Sequence, residues 1–438
     1  MSEYDRKRRP ASSQRGRSNY PPQHRRRRRR RRKNRTGKIV LIVVAVLILA
    51  LLIGGYLIFR HLYGLMDTSS IHEPKKVTAT ATPYATEVPE ITPEPTATPE
   101  PTPEPTPEPT PEPLTEEEIR QLEEIQLRAS LQEDAEELIY DEDVYNILLI
   151  GSDTRHVDML EQSDAMILLS INRRTKTIWL TSLMRDTQVS LPGGGLYHLN
   201  WCTATGGVDM LLDVIAFEKN FAIKVDNWAL LDFLGFVDVA EKLGPIEVSI
   251  NALEADDMNV RIREVTEIQN ERLGLTGENA IPAPLFPIEG GDFSLTDGNQ
   301  ILGYCRERHI GGDTGRSEKQ RETLIQMWNN VKKMSLTEQY ELAEVMMKTI
   351  ATNMTEGQCA SLLLSVPTLL TYDVKAQQCP AIGAMWKGRD QNGLSIYNAD
   401  FRVNRNFLRA TIYGEPMTAA DLTSNWSGET VLIMEPTA

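Results

Sequence analysis

Three short apolar runs stand close together in the chain: Tyr145 to Ile150 (YNILLI), Ala165 to Ile171 (AMILLSI) and Thr177 to Ser182 (TIWLTS). Runs of this length and aliphatic content, bounded by polar residues, predict buried strands. Val208 to Lys219 and Trp228 to Leu243 read as helices, Ile246 to Ile250 as a further strand, and Glu318 to Lys333 as a helix. Ile301 to Glu307 fits a strand or the end of a helix. Alternating strands and helices predict an α/β fold, a layered sheet flanked by helices, over residues 141–335. Within it, Asn251 to Asp292 is expected to be an irregular excursion broken by Pro282, Pro284 and Pro287. Further on, Leu336 to Ile350 and Glu356 to Val366 have amphipathic helical spacing, Leu394 to Asn398 suggests a strand, and the stretch on to Tyr413 a helix. Residues 336–438 are therefore expected to be a helical completion of the same domain, with a loose tail from Pro416 onward.

The pattern is different ahead of residue 141. Ile39 to Phe59 is 21 residues without a charge. As a helix it spans about 30 Å, one hydrocarbon thickness. It is longer than a signal-peptide core, and no convincing small-residue cleavage site follows before Arg60. Residues 39–59 are therefore expected to be a single uncleaved transmembrane signal-anchor. Residues 60–113 form a linker rich in Thr, Pro and Glu, with 12 of the chain's 25 prolines between Pro83 and Pro113. Proline fixes φ and removes a donor, so this stretch is expected to be extended polyproline II, reaching up to roughly 90 Å. Thr115-Glu116-Glu117-Glu118 is a capping-box pattern opening a stalk helix over 114–140.

Charge sharpens the topology. The 438 residues carry a formal net charge of −14, but residues 1–38 hold 17 Lys+Arg against 2 acids. That tail is +15, and the other 400 residues, with 30 basic and 59 acidic side chains, are −29. Arg25 to Lys33 is an unbroken basic run just before the apolar span. The positive-inside rule puts residues 1–38 in the cytoplasm as a disordered tail and everything after Arg60 outside. Without aromatic interleaving or folded context, the run reads as a topology signal in contact with anionic headgroups, and no nucleic-acid partner is expected. A hydrophobic content of 41% with only 4 Cys excludes collagen, a disulfide scaffold and full disorder.

Acids and arginines cluster at predicted element ends. Gly151-Ser152-Asp153-Thr154-Arg155 follows the first strand, Ser163-Asp164 opens the second, and Arg185-Asp186 follows the third. Arg306-Glu307-Arg308 and Gly312-Asp313-Thr314-Gly315-Arg316 lead into a helix carrying Lys319 and Gln320. Strand ends are where α/β folds place ligand sites. Several guanidinia with few carboxylates suit a polyanion such as a pyrophosphate, whose oxygens a planar fork binds bidentately. Asp153 and Asp164 suit Mg²⁺ against the same phosphates, with Mn²⁺ as the alternative, because Mg²⁺ takes one or two carboxylates plus substrate oxygens.

At these residues the chain resembles the LytR–CpsA–Psr family. NILLIGSDTR, QSDAMILLSINRRTKTIWLTSLMRDTQV, HLNWCTATGG, LLDFLGFVDVAEKLGPIEV and YCRERHIGGDTGRSEKQRETL match its blocks in order, over residues 144–335. The resemblance implies a single-pass membrane phosphotransferase outside the cytoplasm of a Gram-positive bacterium. Such an enzyme moves a glycopolymer (wall teichoic acid, capsule or similar) from a polyprenyl-pyrophosphate carrier to a muramic acid hydroxyl of peptidoglycan. By position, the resemblance implies Asp153 and Asp164 as metal-associated carboxylates, and Arg185, Arg306, Arg308 and Arg316 as the pyrophosphate clamp with Gln320 beside it. Arg155 matches a frequent arginine of the first block, and Asn200 the Asn of the third. Asp153, Asp164 and Asp313 are alternative acceptors for the hydroxyl proton. The carrier lipid implies an apolar slot, for which Trp228, Leu231, Phe233, Leu234, Phe236 and Val237 are candidates and plain core is the competing reading. The chain departs from the usual pattern at Gln162, Leu183-Met184, Gly244-Pro245 and Lys319, where the family has Arg, Ile-Pro, Gly-Gly and Arg.

Outside the cytoplasm disulfides can form, and two bridges grouping Cys202 with Cys305 and Cys359 with Cys379 compete with four buried thiols. Two other functions compete with transfer: a non-catalytic polyprenyl-phosphate-binding or envelope-regulatory membrane protein, and a lipid pyrophosphatase.

Overall fold

A computed structural model of the chain describes residues 60, 61, 63, 64, 137–152, 162–426 and 430–436. The expected cytoplasmic tail and transmembrane helix, nearly all of the linker, and the stalk helix up to residue 136 lie outside the described residues. Among the described residues no helix is long and apolar enough to cross a membrane.

The three apolar runs form β1 (Val144–Ser152), β2 (Ser163–Asn172) and β3 (Thr177–Leu183), followed by a small hairpin, β4 (Gln188–Ser190) and β5 (Leu196–His198). Helix α1 (Trp201–Ala216) kinks at Gly206 and Gly207 and leads to β6 (Asn227–Leu231), α2 (Phe233–Leu243) and β7 (Ile246–Ile250). Next come α3 (Ala252–Leu273), β8 (Gly291–Leu295), α4 (Gly298–Arg306) and α5 (Gly312–Val331). The last third contributes α6 (Leu336–Thr349), β9 (Ile350–Thr352), α7 (Glu356–Leu369), β10 (Asp373–Cys379), the hairpin β11 (Met385–Arg389) and β12 (Ser395–Ala399), and α8 (Phe401–Leu408).

Six strands make the central sheet in the order β10-β3-β2-β1-β6-β9. β2 is antiparallel to both β1 and β3, while β6 runs parallel to β1 and β10 parallel to β3. The aliphatic runs are continuous because the inner strands are covered on both faces. On one face Leu148, Ile150, Met166 and Leu168 pack with Leu211, Val214 and Ile215 of α1 and Leu408 of α8. On the other, Ile147 packs with Met354 and Cys359, and Ile171 and Ile178 pack with Leu369 and Tyr372. A second core joins α2, α3, α4 and β7 through Val239, Leu243, Ile246, Met258, Ile262 and Ile301.

Several elements differ from the sequence expectation. The segment Trp228 to Leu243 is a strand and then a helix, because Asp232 turns the chain and caps α2 by accepting from the Gly235 N–H. The expected excursion after Asn251 opens with the 22-residue α3, whose start is a capping box between Asn251 and Glu254. Its buried positions, among them Ala255, Met258, Ile262 and Val265, are spaced three or four residues apart among charged neighbours, so the stripe is narrow. Residues 336–438 are not only helical: β9 and β10 supply both edges of the central sheet. The segment after Pro416 includes a short strand pair, Thr423–Ser424 with Val431–Leu432, and a fully buried Leu422. The expected linker begins with a helical turn in which Tyr63 donates to the Met354 carbonyl and Arg60 pairs with Glu356 at 3.4 Å.

All four cysteines are buried free thiols. Cys202 belongs to the core around α1 and Cys305 lies on α4, while Cys359 and Cys379 pack in different clusters. The paired-bridge reading is therefore replaced by the four-thiol reading.

Candidate active site

The end of β1, the start of β2 and the end of β3 lie at one end of the sheet, because β2 runs antiparallel between the other two. Asp164 is the second residue of β2, and Arg185 follows β3 by two residues. Their ion pair is short, Nη1 of Arg185 to Oδ1 of Asp164 at 2.7 Å. Helix α5 brings the next charges, with Asp313 in its first turn and Arg316 one turn on. Gly311 and Gly312 precede them at φ +76° and +58°, a left-handed turn that favours glycine. A side chain at Gly315 would meet the Ile310 carbonyl oxygen at 2.5 Å, so glycine allows the loop to close onto the helix.

Three guanidinia converge here on two carboxylates. Arg316 lies 3.1 Å from Asp313 and 3.8 Å from Asp164. Arg308 lies 3.7 Å from Asp164 and 3.9 Å from Asp313, and Arg185 is also 3.4 Å from Asp313. The side chains form a depth series: Arg316 is 3% exposed, Arg185 17% and Arg308 38%. Burial alone would raise the Asp164 carboxyl, but Arg316, Arg185 and Arg308 together hold it below the usual range. Burial, reinforced by Arg185 and Arg308, pulls Arg316 down to about 10.

A third carboxyl, Asp186, completes the group at 3.4 Å from the Arg185 Nε. Burial first, and then a hydrogen bond to Asp313, push it up to about 7. The same hydrogen bond and the arginines hold Asp313 well below the carboxylate range in spite of its burial. Asp186 was legible as the acid beside Arg185, yet its pairing with Asp313, 127 positions on in the chain, was not.

The other expected site residues sit as follows. Asp153 and Arg155 lie outside the described residues. The described contacts of Arg306 run away from the cluster, to Glu264 at 3.3 Å and over the Phe233 ring at 4.4 Å. Gln320 donates to the Cys305 carbonyl and so braces the end of α4. Asn200 immediately precedes α1 without a side-chain capping bond, accepts the Ser163 N–H on its carbonyl, and donates from its side chain to Gln162 at 3.1 Å. Of the apolar slot candidates, Phe233 and Val237 pack with Val265 and Leu302, and Trp228 lies in the core around α1.

For a divalent cation, the fit rests on Asp164. Its Oδ1 lies 2.7 to 3.8 Å from the three arginines, at the end of the sheet where the strand termini gather. Among the described residues no group of three or more His, Cys, Asp or Glu forms a metal cage. A single carboxylate of this kind suits a cation that takes most of its oxygens from substrate and water, as Mg²⁺ does.

The profile of the LytR_cpsA_psr family matches residues 116–410. The polyisoprenyl-teichoic acid–peptidoglycan teichoic acid transferase TagU of Oceanobacillus iheyensis is 28% identical over 239 residues, 53% of this chain and 66% of that protein. TagT of Bacillus subtilis, which bears the same transferase name, is 28% identical over 204 residues, 45% of this chain and 56% of that protein. The biofilm regulatory protein A of Streptococcus mutans is 27% identical, covering 54% and 55%. The chain thus spans between about half and two thirds of the length of these relatives. Among solved structures, B. subtilis TagT aligns with a TM-score of 0.44 at 21% identity, over 63% of this chain and 94% of that one. Protein gbs0355 of Streptococcus agalactiae aligns with a TM-score of 0.48 at 22% identity, over 68% and 92%. With the family profile covering well over half its length, the chain belongs to the LytR–CpsA–Psr family.

Proposed function

We propose that the protein transfers a phosphate-linked glycopolymer from a polyprenyl-pyrophosphate carrier to a muramic acid hydroxyl of peptidoglycan. The observation that carries this reading is the convergence of Arg185, Arg308 and Arg316 on Asp164 and Asp313 at one end of the sheet. Guanidinia set at graded depth suit two linked phosphoryl groups better than a single carboxylate ligand. The names of the TagU and TagT relatives, which join polyisoprenyl-teichoic acid to peptidoglycan, support the same class of donor and acceptor.

In this reaction the acceptor hydroxyl oxygen attacks the glycan-side phosphorus. The bond from that phosphorus to the bridging oxygen breaks, polyprenyl phosphate leaves, and a phosphodiester to muramic acid forms. Charge builds on the phosphoryl oxygens and the leaving phosphate, where fixed guanidinia stabilise it without reorganising. The hydroxyl proton goes to the Asp186–Asp313 pair, whose Asp186 titrates near neutrality, as a general base requires. Asp164, with Asp153, would hold Mg²⁺, which when bound neutralises phosphate charge. In this reading the chain is a single-pass membrane protein with its catalytic domain outside the cytoplasm.

The test is transfer by the full chain in lipid vesicles, given a polyprenyl-pyrophosphate glycan, peptidoglycan oligomers and Mg²⁺. Covalent glycan on peptidoglycan, reduced ~10²–10³-fold in Arg308→Ala, is the expected result. Donor cleavage with no glycan on peptidoglycan would replace transfer by hydrolysis, and donor binding with neither reaction would replace it by a carrier or regulatory role.

A further inference from the structure

The loop between α4 and α5 carries Arg308, and carboxylates hold it at every step. Arg308 donates its own N–H to Oδ2 of Asp257 on α3 at 3.1 Å. Glu307, just before it, is fully buried. One of its oxygens accepts the N–H groups of His309 and Ile310, the latter at 3.2 Å. Its other oxygen pairs with the Nζ of Lys319, which also lies 2.7 Å from Oε1 of Glu254. Glu254 in turn accepts the Asn251 N–H on Oε2 at 2.9 Å, closing the cap of α3. A continuous ionic chain therefore runs from the start of α3, through one turn of α5, into the backbone beside Arg308. Lys319 stands where the family usually has arginine, and here it faces two buried carboxylates. A buried carboxylate persists only when its partners are in place.

We propose that Glu307 and Lys319, anchored by Glu254, are positioning residues that fix the guanidinium of Arg308 in the phosphate clamp. The inference rests on the transferase reading. In this role both act through the loop: Glu307 holds the His309 and Ile310 N–H groups, and Lys319 holds Glu307. A salt bridge serving only stability would leave the clamp arginine where it is, and the two roles separate in a double-mutant cycle.

The experiment measures transfer kinetics, melting temperature and binding of inorganic pyrophosphate with Mg²⁺, all on the full chain in vesicles. Glu307→Gln should lower kcat/KM by ~10–10²-fold, the scale of a misplaced clamp group. It should have no further effect in an Arg308→Ala background. Lys319→Met should behave like Glu307→Gln, and Lys319→Arg should restore most of the activity. Should Glu307→Gln fail to fold, the Lys319 pair alone carries the comparison. Wild-type kcat/KM in Glu307→Gln or Lys319→Met, or the same fold-loss in the Arg308→Ala background as in wild type, would overturn the proposal. If wild type neither binds pyrophosphate nor transfers, the transferase reading fails and takes this inference with it. If wild type does both and the variants match it, this inference alone fails.

Discussion

Nη1 of Arg185 sits 2.7 Å from Oδ1 of Asp164, an ion pair that ties the end of β3 to the beginning of β2. Arg308 and Arg316 approach the same oxygen at 3.7 and 3.8 Å, so Asp164 organises three guanidinia at once. Replacing Arg185 by Ala should reduce glycan transfer by ~10²–10³-fold, the usual cost of one preorganised charge donor. Asp164→Asn should lose transfer as well, and steady-state kinetics on the two variants check both.

The Asp186–Asp313 pair predicts a pH profile. Below its value of about 7, Asp186 is protonated and cannot take the hydroxyl proton; above it, the carboxylate can. Transfer should therefore rise with pH through neutrality. Asp186→Asn should be slow and lose that rising limb. A limb that persists in the variant would assign the proton to another group.

The thiols make a simpler prediction. Burial pushes Cys202 up to about 12 and Cys305 up to about 11, so neither is a ready nucleophile. A thiol reagent should label none of the four in the native protein and all four after denaturation. A reducing agent should leave the melting temperature unchanged.

The capping box of α3 can be tested by stability alone. Asn251 accepts from the N–H groups of Leu253 and Glu254. Asn251→Ala should cost about 1 kcal/mol in denaturant unfolding. Gly298→Ala should cost more, ~1–3 kcal/mol, because its Cβ would meet the Val237 carbonyl oxygen at 2.4 Å, and backbone cannot swing aside as a side chain can.

What the sequence made legible follows from what is local. The three aliphatic strands, and the acids and arginines at their ends, are readable because each depends on its neighbours in the chain. Residues α3 presents to the core are few, and its long charged face masks the period, so a 22-residue helix passed as irregular chain. Arg306 and Arg308 look equivalent two positions apart, yet the first is the last residue of a helix and the second lies beyond it. Their side chains therefore part, one to Glu264 and Phe233, the other to Asp164. Glu307 between them resembles a surface acid, and only the packing of α3 and α5 makes it the most buried charge of the loop. Pairings such as these are set by the third dimension and leave no periodic trace.

The two outer strands of the sheet also govern the order in which the protein can be built. β10 pairs with β3 and β9 with β6, so residues near 350 and 375 must reach partners made much earlier. While synthesis is still short of Asp373, Thr177 to Leu183 presents an open row of N–H and C=O groups, with Ile178 and Leu180 ready to join any passing strand. A nascent chain stalled or cut before that point is an aggregation hazard, and pairings this distant in sequence form slowly. Completing the sheet thus depends on delivery of the last third of the chain, and a chaperone holding β3 until then would act at the step where misassembly begins.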